Sequence, residues 1–234
     1  MTKSSLIAGM LSSTCVLSSA MGAQASRHAI DPGDFVAHVT NPWFPLKPGT
    51  VYTYRGIKDG KPARDVFTVT GQTKIVAGVR TTVVQDRLYL AGRLEERTSD
   101  WYVQDKRGNV WYFGEATAEL DPNGRVTSRE GSWRTGVNRA RPGIYMPAHP
   151  KIGQSGLEEY DKGHAEDHFQ VLSLSASVRV PFLSSTHALL TKEWTPLEPK
   201  VLDHKYDVRG IGMVKEASIK GPREIGLLVS VKSP

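Results

Sequence analysis

The chain has almost no sulfur to work with: its one cysteine is Cys15. It also has no apolar run of the ~18–20 residues that a membrane-spanning helix needs. Lys3 is followed by an uncharged stretch from Leu6 to Ala20, diluted by serine and threonine, which ends near Ala23-Gln24-Ala25. That order fits a secretory leader with a small-x-small cleavage site. Residues 1–25 are therefore expected to be a signal peptide and residues 26–234 a single β-rich domain. Ser12-Ser13-Thr14 precedes Cys15 where a lipoprotein signal favours alanine or glycine, so lipid anchoring is the less favoured reading. Cleavage after Ala25 leaves no cysteine, which excludes disulfides and thiolate chemistry even in an oxidising compartment.

The usual chemical motifs are missing as well. Asp121-Pro122-Asn123-Gly124 lacks the alternating acids and terminal glutamate of a calcium loop and reads as a turn. Gly131-Ser132-Trp133 and Gly153-Gln154-Ser155-Gly156 do not match the strand-to-helix elbow of a nucleophilic serine. Gly210-Ile211-Gly212-Met213-Val214 lacks the third glycine and following helix of a dinucleotide loop. The net charge is +6, but thirty lysines and arginines are scattered among twenty-four acids. The densest basic group, Arg134, Arg139 and Arg141, has no interleaved aromatics to stack bases. No nucleic acid and no cofactor are expected; a basic surface resting peripherally on an acidic cell envelope is.

What the sequence does contain is short runs rich in Val, Thr, Tyr and Trp, punctuated by turn residues every eight to twelve positions, the signature of antiparallel strands. Val51 to Arg55 alternates with Tyr52 and Tyr54 on one face. Asp65 to Thr70 follows a turn at Lys58-Asp59-Gly60-Lys61-Pro62, and Ala77-Gly78 separates Lys74-Ile75-Val76 from Thr81 to Tyr89. Leu172, Leu174, Ala176, Val178 and Val180 alternate with serines and Arg179, predicting one dry and one wet face. Residues 136–163 are rich in Pro and Gly and predict an irregular crossover. Helices are expected only at Asp31 to Val39 and around Glu158 to His168. The fold class that results is all-β or β-dominated: a strongly curved antiparallel sheet or incomplete barrel with one or two short helices.

Asp100 to Glu115 (DWYVQDKRGNVWYFGE) is the densest aromatic segment. Asp105 to Asn109 suits a three-residue hairpin loop with Gly108 in the left-handed position. Partners then sum to 214, pairing Val103 with Trp111, Trp101 with Phe113, Tyr102 with Tyr112, Gln104 with Val110 and Asp100 with Gly114. A Trp/Val/Phe face and an Asp/Tyr/Gln face result. At about 3.4 Å per residue, Asp105 and Glu115 lie roughly 20 Å apart, too far to act as a glycosidase pair. Asp105 is the turn former. Tyr102, Gln104 and Tyr112, with Trp133, are the candidate ligand-binding residues, because aromatic bodies pack on an apolar ligand while their polar tips orient it.

Glu115, Glu159, Glu166 and Asp167 are the candidate catalytic carboxylates, since acids held close raise one another's pKa. His164 and His168 are weak metal candidates: the zincin order is absent and no third ligand is evident.

Several segments together resemble an uncharacterised family of exported bacterial proteins: Asn41-Pro42-Trp43-Phe44-Pro45-Leu46-Lys47-Pro48-Gly49-Thr50, the Asp100 to Glu115 hairpin, Gly131-Ser132-Trp133, Pro142-Gly143-Ile144, Met146-Pro147-Ala148, Gly163-His164-Ala165-Glu166-Asp167 and Thr195-Pro196-Leu197-Glu198-Pro199. The resemblance implies export and no particular activity. A looser likeness of architecture is to periplasmic lipoprotein-carrier-like proteins. The leading expectation is a periplasmic or secreted binding protein for an apolar or amphipathic small molecule or lipid, held in the sheet's concavity. The alternatives are a small-molecule hydrolase or isomerase using buried carboxylates, and an envelope interaction protein without a pocket.

Overall fold

The structure, a computed structural model, describes residues 30–234; the expected signal peptide and Cys15 lie outside the described residues. Strand follows strand through tight turns. β2 (Val51–Lys58) leads to β3 (Lys61–Val76), β4 (Val79–Leu90) and β5 (Arg93–Asp105). The three connections have positive φ at both central residues: Asp59 and Gly60, Ala77 and Gly78, Ala91 and Gly92. Two-residue turns of that kind match the right-handed strand twist. β6 (Val110–Leu120) completes the aromatic hairpin, with β7 (Val126–Ser128) and β8 (Trp133–Arg134) laid on its other edge. The second half of the chain supplies β9 (Arg141–Met146), β10 (Ser155–Leu157), β11 (Glu159–Tyr160), β12 (His168–Arg179), β13 (Ser184–Trp194), β14 (Leu202–Val208), β15 (Gly212–Lys220) and β16 (Ile225–Lys232).

These strands form one antiparallel sheet in the order β10-β12-β13-β14-β15-β16-β2-β3-β4-β5-β6-β9-β11. The two ends of that order are one short segment. Its first half pairs with β12 (Ser155↔Gln170) and its second with β9 (Glu159↔Pro142), so residues 155–160 stitch the edges into a nearly closed barrel. The crossing is tight: a Cβ on Gly143 would stand 2.3 Å from the Leu157 carbonyl oxygen and 2.4 Å from the Glu158 carbonyl carbon.

Inward-facing side chains change character along the strands. On β3 the series runs Val69, Phe67, Asp65; on β13 it runs Leu189, Thr191, Glu193; on β15, Val214 and then Glu216. One end of the barrel is filled by an apolar core around Phe44, Tyr52, Phe67, Tyr102, Leu189 and Leu228. The other end is lined by acids. A second, smaller cluster lies outside the wall, where Trp101, Val103 and Phe113 are covered by Ile30 and Phe35. β1 (Phe35–Val36) pairs there with β5.

Four expectations need correction. The helix at Asp31 to Val39 shrinks to one 3-10 turn, Pro32–Asp34, because Phe35 pairs with the hairpin instead. No helix forms around Glu158 to His168; the segment closes the barrel through β11 and an Asp161↔Ala165 bridge. On β12 the dry face is interrupted: three register shifts put Val171 and Val178 inside and leave Leu174 37% exposed. In the aromatic hairpin the pairs Tyr102↔Tyr112, Val103↔Trp111 and Gln104↔Val110 form, but Asp100 faces Glu115, not Gly114. A bulge at Gly114 moves the register by one. Its φ of 135° and the Trp133 carbonyl, 2.5 Å from where a Cβ would sit, require glycine there.

Gly143→Ala forces backbone apart at the closure. The expected cost is about 1–3 kcal/mol, a fall of roughly 3–10 °C in melting temperature by calorimetry; an unchanged melt contradicts the closure described.

Candidate functional site

The acid-lined end encloses a cavity of about 770 Å³. Among the described residues, thirteen carboxylates line it, against two lysines, Lys58 and Lys205, and no arginine. The protein is basic in sum and acidic within. Five acid–base dipeptides produce much of this sorting: Arg64-Asp65, Asp86-Arg87, Glu96-Arg97, Lys192-Glu193 and Lys215-Glu216. In each, the acid lines the cavity and the strand's period of two sends the base to the outer face.

The floor is aromatic. Tyr102 and Tyr112 stack with ring centroids 4.7 Å apart, and Tyr145 packs against them at 5.0 and 6.0 Å. Burial first, then neighbouring acids, pushes the Tyr102 and Tyr112 hydroxyls well above the ordinary tyrosine range, so they stay neutral donors. The Tyr112 hydroxyl lies 2.6 Å from Asp100 Oδ1 and 2.8 Å from Glu115 Oε2, sharing one proton between two carboxyl groups that the Gly114 bulge has set side by side. The Tyr102 hydroxyl, fully buried, has no hydrogen-bond partner, and neither has Oδ1 of buried Asp86. Both residues line the cavity.

Lys205 is the buried cation. It contacts Glu193, stands 3.9 Å from Glu216 and lies 5.7 Å from the Tyr145 ring centroid. Burial lowers its pKa, but the pull of Glu193, Tyr145 and Glu216 outweighs burial and holds it above the usual lysine range. Several of the other acids are nonetheless displaced toward the protonated form. Burial, then Asp65, keeps Asp86 well above the usual carboxylate range; burial, then Glu193, does the same for Glu158. Glu96 and Asp203 are also raised, with burial the leading cause. The mouth is rimmed by Glu130 and His164, whose side chains are 54% and 60% exposed.

The structure brings together some of the candidates named from sequence and separates others. Tyr102, Tyr112, Glu115, Glu159 and Asp167 line the cavity, with His164 at its rim. Gln104 does not; its side chain accepts from the Thr40 and Asn41 amides and ties down the loop there. Trp133 stands behind Tyr112, edge to face at 5.5 Å. Glu166 accepts from the Gly163 amide and shapes a turn. His168 stacks on Trp194, away from His164, and no group of three metal-ligating side chains is found among the described residues. Asp105 is the turn former expected, accepting from the Arg107 and Asn109 amides and the Trp111 indole. Sequence reasoning missed Asp65, Asp86, Glu96, Glu193 and Glu216, although the five dipeptides were the available signal, and missed Lys205, for which there was none.

No family model matches the chain, and no curated protein does. Two solved structures are similar. One is a protein described as exported, with a YmcC-like fold, from Bacteroides fragilis: 17% identity over 82% of this chain and 99% of that one, TM-score 0.47. The other is described as a lipoprotein, from Parabacteroides distasonis: 12% identity, the same coverage of each chain, TM-score 0.47.

Asp207, buried beneath Lys205, shows what the acidity costs. Burial and then Glu193 raise its pKa from 3.8 to about 8, against the pull of Lys205. Between those values the folded state holds a proton that the unfolded chain has released, so its contribution to stability falls as pH rises from about 4 to about 8. Asp207→Asn mimics the protonated group. Its melting temperature relative to wild type is expected to climb by about 5 °C or more between pH 4.5 and pH 8; a pH-independent difference contradicts the assignment.

Proposed function

We propose that the protein is an exported binding protein whose barrel holds a small organic cation with an apolar body, an amphipathic amine or quaternary ammonium. The observation that carries this reading is the lining: thirteen carboxylates and two lysines around about 770 Å³, above a floor of three tyrosines. Cavities of roughly 300–1,000 Å³ suit small-molecule ligands. A purely apolar guest adds no charge to favour the ionised forms of Asp86, Glu96 and Glu158, which burial already disfavours. An ammonium group relieves their mutual repulsion, and aromatic faces attract such cations. The Tyr102 hydroxyl and Asp86 Oδ1, buried and without partners, offer positions for the N–H groups of an amine; a quaternary ammonium is held there by charge and by the ring faces alone. The apolar part of the ligand rests on the tyrosine rings. Export rests on the leader-like first 25 residues.

Binding a cation lowers the raised carboxylate pKa values, so protons are released and affinity grows with pH. A second reading draws on the Asp100–Tyr112–Glu115 arrangement, in which a hydroxyl between two carboxyls could serve as an acid–base group for hydrolysis or isomerisation of the same cation.

Three probes of equal chain length test the charge preference by calorimetry below their micellar concentrations: dodecyltrimethylammonium, dodecanol and dodecyl sulfate. The ammonium is expected to bind at least about tenfold tighter than either, roughly 1.4 kcal/mol, and Asp86→Asn/Glu96→Gln to remove most of that margin. Equal or tighter binding of dodecanol or dodecyl sulfate overturns the reading.

A further inference from the structure

The outer wall carries the counterpart of the acidic interior, and it is ordered. On β2 and β3, Arg55 and Arg64 are directly opposite one another; on β4 and β5, Arg87 and Arg97 are. Arg64 pairs with Tyr89 and Val66 with Arg87, so Arg64 and Arg87 are diagonal neighbours. Their alternation partners Tyr54, Asp65, Asp86 and Glu96 point inward, which places all four arginines outside. The result is one row crossing four adjacent strands, about 14 Å long at the usual strand spacing.

Like charges directly opposite on a sheet repel; Arg64 is eased by the Tyr89 ring it rests on. None of the four makes an ion pair among the described residues. The outward positions on one side are Thr53, Thr68, Gln85 and Ser99, while Val66 stands opposite Arg87 and Ile57 and Pro62 lie beyond Arg55 and Arg64 on the other side.

We propose that this row is a binding site for a flexible anionic polysaccharide, a chain of sulfate or carboxylate groups laid across β2 to β5. Guanidinium groups take such oxygens two at a time, and successive strands present them at a regular spacing. The row runs around the barrel's circumference, so a flexible chain can follow it where a flat membrane meets only part of it. A single-stranded nucleic acid would need free aromatic faces. The one ring in the row, Tyr89, is already covered by Arg64, 3.8 Å from its centroid. This inference is independent of what the cavity binds.

The test is binding of the full chain to dextran sulfate over a range of salt, with uncharged dextran, phosphatidylglycerol vesicles and oligothymidylate as the other arms. Arg55→Gln/Arg64→Gln/Arg87→Gln/Arg97→Gln is compared with a variant of equal charge, Arg107→Gln/Arg125→Gln/Lys151→Gln/Lys162→Gln, whose four positions are exposed and lie off the row. Melting temperatures establish that both fold. The row variant is expected to lose at least tenfold in affinity at low salt and to flatten the log–log salt slope by roughly 3, as four lost contacts on a flexible polyanion require. The control is expected to lose less than threefold. Equal losses in both variants, no preference for dextran sulfate over dextran, or tighter binding to vesicles or oligothymidylate each overturn the proposal.

Discussion

Strand alternation is the constraint on which the rest depends. Successive side chains leave a strand on opposite faces, so an acid beside a base becomes an inner charge and an outer one. Arg64-Asp65, Asp86-Arg87, Glu96-Arg97, Lys192-Glu193 and Lys215-Glu216 apply that rule on five strands of one sheet. Closing the sheet converts a local alternation into a molecular one. Among the described residues the cavity takes thirteen acids and, of the lysines and arginines, Lys58 and Lys205. A one-residue slip in any of these strands would reverse the sorting, which is why tight turns and defined bulges matter here as much as packing.

The acids are tolerable because the barrel is divided. Its apolar end, with Phe44 packed edge-on against Phe67 and Tyr102, supplies a conventional core. The acidic end is then held open by structure that it does not itself stabilise. Lys205 offsets Glu193 and Glu216, and the remaining strain shows as carboxyl groups displaced toward the protonated form. Perturbed acids in a concave site mark a candidate functional site. The same groups make the fold less stable at neutral pH than in mild acid.

Much of the architecture could be read from the sequence, because it is set by local chemistry. Asp59-Gly60 and Ala77-Gly78 turn where expected, Tyr52 and Tyr54 face inward together, and the loop half of the aromatic hairpin pairs as the Asp105–Asn109 turn dictates. Bulges were not legible. At Gly114 and along β12 the register depends on what crosses the strand from elsewhere, Trp133 in one case and β13 in the other. The apparent helix near Glu158 failed for a related reason: its backbone is recruited to join two sheet edges distant in sequence. Of the site, the two stacked tyrosines and three of the acids were visible because they cluster in the chain. Asp65, Asp86, Glu193 and Glu216 are scattered over 150 residues and meet only when the barrel closes.

A carbon-detected NMR titration of labelled aspartate and glutamate side chains tests the acid-lined cavity most directly. The account predicts Asp207 titrating near pH 8, with Asp86 and Glu158 also well above the ordinary carboxylate range. Every carboxyl titrating between about pH 3 and 5, as in water, would contradict it.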